Sequence, residues 1–79
     1  MTVAPRFKIV TDVEACSGLV YVSPNNSDKW VWTAKLMHDW EVEDSWKSDG
    51  EFDSPGRAIA DCYSHLRSLD FEPRGAVEV

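Results

Sequence analysis

The sequence predicts an α+β domain: an antiparallel sheet of about four strands in meander order with one amphipathic helix packed on one face. Three observations carry this. Apolar and polar residues alternate from Arg6 to Glu14 and again from Trp30 to Trp46, which is the period of a half-buried strand. Clusters of turn-forming residues separate these runs, and one stretch after Ser54 switches to helical spacing. With 79 residues there is room for a single core, because a chain this short buries only about 60% of the surface it exposes when unfolded. Residues 1–79 are therefore read as one small domain.

In the first element, Phe7, Ile9, Thr11 and Val13 point one way and Arg6, Lys8, Asp12 and Glu14 the other, with Val10 as the exception. That pattern predicts a strand from Arg6 to Glu14. Cys16-Ser17-Gly18 offers a turn, and Leu19-Val20-Tyr21-Val22 reads as the returning strand of a hairpin. Ser23-Pro24-Asn25-Asn26-Ser27-Asp28 follows as a loop, since proline presets φ and Asn and Asp side chains bond local backbone.

From Trp30 onward the apolar residues keep even parity through Trp32, Ala34, Leu36, Trp40, Val42 and Trp46, broken by Val31 and Met37. Two strands joined by a tight turn near His38-Asp39 satisfy this. A helix from Thr33 to Lys47 would align Leu36 with Trp40 but leave Val42 and Trp46 on another flank. Ser48-Asp49-Gly50 closes the second of these strands. Asp53-Ser54-Pro55 then starts the helix: Ser54 can accept a bond at the N-cap, and Pro55 at the first helical position loses nothing by lacking an N–H. Ile59, Cys62, Tyr63, Leu66 and Leu69 form its apolar stripe. Phe71 caps the core, and Glu72-Pro73-Arg74-Gly75 interrupts the chain before Ala76 to Val79, read as a frayed tail or a short edge strand.

Composition excludes several classes. A hydrophobic fraction of 43% with 28% charged residues is globular, neither disordered nor membrane-spanning. Met1 to Val10 holds two basic residues and no apolar h-region, so a soluble cytoplasmic protein is expected. Cys16 and Cys62 are too few for a disulfide framework and are expected as free thiols. A net charge of −6 opposes direct binding to nucleic acid or an anionic membrane. Cys16, Cys62, His38 and His65 share no ligand spacing. Asp61 and His65 lie four apart on the helix, a spacing common in surface pairs. The sequence contains no G-x-S-x-G, phosphate-binding glycine loop or H-E-x-x-H. No catalytic residue, metal or cofactor is assigned.

Charge is distributed unevenly. Residues 39–53 hold Asp39, Glu41, Glu43, Asp44, Asp49, Glu51 and Asp53 against Lys47 alone, so this segment carries a charge equal to the chain's whole −6. If Asp39, Glu41 and Glu43 share one strand face, their carboxylates repeat every 6.5 to 7 Å or so, about twice the spacing of charges along one nucleic-acid strand. Solubility alone explains many charge runs, yet a ladder of like charges is unfavourable and natural edges more often use lysine. The four tryptophans, Trp30, Trp32, Trp40 and Trp46, fall within residues 30–46 at even parity, and one helix cannot cover them all. One or more of them, Trp40 or Trp46 above all, is expected at the surface as a binding anchor.

The passage Ser48-Asp49-Gly50-Glu51-Phe52-Asp53-Ser54-Pro55 followed by Ala58-Ile59-Ala60 resembles small sheet-then-helix proteins of phages and mobile elements. In size, acidity and layout the chain is most similar to anti-CRISPR proteins, and its strand-to-helix passage is also similar to that of HicB-type antitoxins, although their glycine- and proline-containing segment before the last strand is missing. The anti-CRISPR resemblance implies an acidic face that occupies sites meant for nucleic acid. It assigns no residue.

These readings converge on a non-catalytic acidic module that binds a protein with a basic, nucleic-acid-binding surface and blocks it by charge mimicry. Asp39, Glu41, Glu43, Asp44, Asp49, Glu51, Trp40 and Trp46 are the expected contacts. An antitoxin or regulator that neutralises a partner protein is the alternative, and a small enzyme the third; homodimer formation stays open.

Overall fold

The computed structural model describes residues 4–79. Strands β1 (Phe7–Thr11), β2 (Cys16–Val22), β3 (Trp30–His38), β4 (Glu41–Lys47) and β5 (Pro73–Glu78) form one sheet in the order β4-β3-β2-β1-β5, and helix α1 (Pro55–Ser68) lies between β4 and β5 in the chain. All neighbouring strands are antiparallel. The expected architecture is present with five strands rather than four. The first four make the meander, and α1 carries the chain over one face of the sheet to place β5 beside β1.

The added strand comes from the segment read as a break and a tail. Asp12 N–H donates to Glu72 O at 3.0 Å, Glu72 N–H donates to Asp12 Oδ1 at 2.9 Å, and Val79 N–H donates to Arg6 O at 2.8 Å. Pro73 sits at the strand's first position, where a missing N–H is tolerated. Thr11 pairs with Pro73 and Val10 with Gly75, so Arg74 is skipped by the ladder. Gly75 has φ +154°, a backbone that side-chain-bearing residues rarely adopt and that lets pairing resume past this bulge.

β1 is shorter than the alternation suggested. The Thr11 hydroxyl lies 2.8 Å from Val13 O and 3.0 Å from Cys16 O, and Cys16 N–H donates to Val13 O. These bonds turn the chain before Cys16 and leave Val13 37% exposed, outside the core. Gly18 is consequently not a turn residue but lies inside β2. A Cβ there would stand 3.2 Å from Cys62 Sγ, from Ile9 Cβ and from Thr33 O, so glycine permits the close approach of helix and sheet.

Ile9, Cys16, Val20, Trp32 and Ala34 from the sheet and Ala58, Cys62 and Leu66 from α1 form the buried core. Phe7, Trp30, Leu36, Trp46, Phe52, Ile59, Tyr63 and Phe71 pack around it. The helix starts as predicted: Ser54 Oγ accepts from Arg57 N–H at 3.3 Å, with Pro55 in the first turn. Leu69 does not extend the stripe; it is the C-cap, its N–H bonded to carbonyls of the last turn.

Candidate functional site

β3 and β4 meet at the pair His38 and Glu41, leaving Asp39 and Trp40 as a two-residue turn. Both have positive φ, 50° and 69°, as a type I′ hairpin turn requires. Asp tolerates this backbone. Trp40 occupies the position where glycine is usual, and a residue with a Cβ gives up roughly 1–2 kcal/mol there. Its side chain recovers nothing by burial, because the residue is 96% exposed. Strain and a solvated indole therefore coincide at one residue, a combination typical of contact sites rather than of folding determinants.

The β1–β2 turn lies beside this tip, joined to it by Met37 N–H donating to Ala15 O at 2.9 Å. Glu14, Ala15, Ser17, Met37, Asp39 and Trp40 line a shallow groove between them. Sequence reasoning missed Glu14, Ala15, Ser17 and Met37 as members of this site. Met37 had left a signal, since it broke the parity of its run.

The expected acidic residues divide into two groups. Asp39, Glu41, Glu43 and Asp44 are exposed at the tip and along β4. They do not form an even ladder: Asp39 is in the turn, and Leu36 pairs with Asp44 while Met37 pairs with Val42, making Glu43 a bulge residue. Asp49 and Glu51 lie beyond the other end of β4, which is about 20 Å long. Glu51 accepts from the Ser23 hydroxyl. Lys29 pairs with Asp53, which holds the Asp53 carboxyl below its ordinary range and raises the Lys29 ammonium, both by hydrogen bond first and charge second.

Trp46 is half-buried, its ring centroid 6.1 Å from His65 and 6.3 Å from Phe71. Trp32 is buried and Trp30 packs against the core edge. The surface indole anticipated from the four tryptophans is thus Trp40. On the sheet face away from α1, Lys8, Lys35 and Lys47 line a depression with Leu19, Thr33 and Ser45. No Asp or Glu occupies a paired outward position there, so acidity is concentrated at the strand ends and on β4.

Of the histidines, cysteines and acid weighed in the sequence, Cys16, Cys62 and His65 lie in or against the core and Asp61 bonds to it, whereas His38 is exposed with Nε2 3.3 Å from the Asp39 carboxylate. Asp61 Oδ2 accepts from Trp32 Nε1 at 2.8 Å, and the His65 ring lies 5.1 Å from Trp32. Cys16 and Cys62 are buried free thiols. Burial, then the Asp61 charge, then Cys16 push Cys62 up to about 12; burial also raises Cys16, against a lowering hydrogen bond from Thr11. Among the described residues no three metal-ligating side chains cluster, and no helix is long and apolar enough to cross a membrane. No protein-family profile, curated protein or solved structure matches the chain.

Proposed function

We propose that this chain is a non-catalytic protein-binding module whose contact element is the β3–β4 tip. Trp40 is the anchor, and Asp39, Glu41, Glu43 and Asp44 face a basic surface on the partner. Where that surface normally holds nucleic acid, the tip blocks it. The exposed, strained Trp40 carries this reading, because an indole held in solvent at a conformational cost has no role in stabilising the fold. Charge mimicry here takes the form of a cluster around an apolar anchor rather than a row of phosphate-like spacing. Carboxylates steer the encounter, and the buried anchor sets the lifetime of the complex.

The Ala15 and Met37 side of the groove favours a second reading, in which an antitoxin or regulator neutralises a partner through mainly apolar contact. Binding partners retained from lysate by the wild-type chain and lost by Trp40→Gly can be purified and studied one at a time. For mimicry, the association rate falls steeply with salt, and the Asp39→Asn, Glu41→Gln, Glu43→Gln triple variant flattens that dependence. A salt-insensitive association rate with a Trp40-dependent dissociation rate supports the second reading. Partners bound equally well by Trp40→Gly overturn both.

A further inference from the structure

The two edges of the sheet are built differently. β4 carries Glu41, Glu43, Asp44, Lys47 and a bulge, all of which discourage pairing with another strand. β5 confines its proline and its bulge to its first positions, Pro73 and Arg74, and leaves the uncharged run Gly75-Ala76-Val77 before Glu78, with Val77 56% exposed. Among the described residues β5 pairs with β1 alone. Val79 N–H bonds to Arg6 O, so by the alternation of an antiparallel ladder Val77 also faces β1, while Ala76 and Glu78 direct their N–H and C=O groups outward.

We propose that β5 pairs antiparallel with β5 of a second copy of this chain, about a two-fold axis at Ala76. Two five-stranded sheets then become one continuous sheet, and this follows from the edge whatever the hairpin tip binds. Residue complementarity selects the register. Arg74 stands opposite the second copy's Glu78, and Glu78 opposite its Arg74, giving two cross-strand pairs of opposite charge. Arg74 is the residue left without a partner in β1, so it is free to serve here. Val77 of each copy lies against Gly75 of the other, around which the space is open: a Cβ on Gly75 would meet nothing within 4 Å. Small Ala76 side chains meet at the axis. Centring the axis on Gly75 instead would set Glu78 against Glu72, and centring it on Val77 would move Arg74 past the end of the opposing strand.

The pairing is self-complementary, as a two-fold contact must be, and it leaves the two β3–β4 tips at opposite ends of the joined sheet. Analytical ultracentrifugation of the whole chain, from low micromolar to millimolar, should show a mass rising from 8.9 kDa towards twice that value. Arg74→Glu and Glu78→Arg should each weaken association about tenfold or more, since each sets like charges opposite one another twice. Combining them restores opposite charges and should restore the dimer. Ala76→Pro removes an outward N–H and should yield a monomer with an unchanged circular-dichroism spectrum. A wild-type chain that stays monomeric throughout overturns the proposal. So does a dimer that the single reversals leave intact, or one that the double reversal fails to recover.

Discussion

The indole N–H of Trp32, the third residue of β3, donates to the Asp61 carboxylate of α1 at 2.8 Å. This bond satisfies the polar atom of the largest fully buried side chain and fixes where α1 crosses the sheet, since a buried donor left alone is costly. Asp61 is therefore an exposed residue of α1 whose carboxylate serves the core beneath it.

Asp61→Ala should lower stability by about 1–3 kcal/mol, because it strands a buried donor. Asp61→Asn keeps an acceptor at the same place and should lose less. Urea denaturation of both variants tests this; equal losses would mean the bond contributes nothing.

Trp40→Gly should stabilise the fold by roughly 1 kcal/mol while abolishing partner binding, because glycine suits the left-handed backbone and the indole buries nothing. A lower urea midpoint for the variant would show that Trp40 makes a folding contribution the exposed indole does not suggest.

Gly18→Ala should cost about 1–3 kcal/mol by overpacking the contact of β2 with α1. Two of its three close neighbours, Ile9 Cβ and Thr33 O, are rigid parts of adjacent strands and cannot swing aside. Thermal unfolding at the wild-type midpoint would show that the sheet gives way more easily than this geometry implies.

Stability should fall as the solution becomes alkaline. Below the thiol's ordinary pKa of 9.0 the folded and unfolded states both keep the Cys62 proton; above it the unfolded thiol ionises first, while the folded one holds its proton up to about 12. The unfolded state binds fewer protons in that window, so the slope is negative, at most about 1.4 kcal/mol per pH unit. Cys62→Ala should flatten the slope measured by denaturation between pH 9 and 11. The same burial predicts that thiol reagents reach Cys62 only after unfolding. Labelling in the native state would contradict the packing.

Much of the fold was legible because period and punctuation agree. The alternation through Trp30, Trp32, Ala34 and Leu36 marks β3, and Ser54-Pro55 marks the start of α1. What escaped was set by partners distant in sequence. Pro73-Arg74-Gly75 reads as a breaker until β1 offers it a ladder with a bulge, and Gly18 reads as a turn until Cys62 needs the space. The candidate site was legible in part. Counting tryptophans implied that one lay outside, but which one depended on a turn whose backbone suits asparagine and glycine better than tryptophan. The carboxylate row failed because Asp39 lies in the turn rather than on β4 and a bulge at Glu43 breaks the even repeat on which the spacing depended.

The four indoles sit in very different surroundings, and this gives the chain an optical label of its own. Trp32 is 2% exposed and Trp40 is 96% exposed. The red edge of the emission, together with most of the quenching by a neutral quencher such as acrylamide, should therefore come from Trp40. Iodide, repelled by the carboxylates beside it, should quench it less than caesium does. A ligand seated on the hairpin tip would shift that emission to the blue and shield it, so occupancy can be followed without attaching a dye.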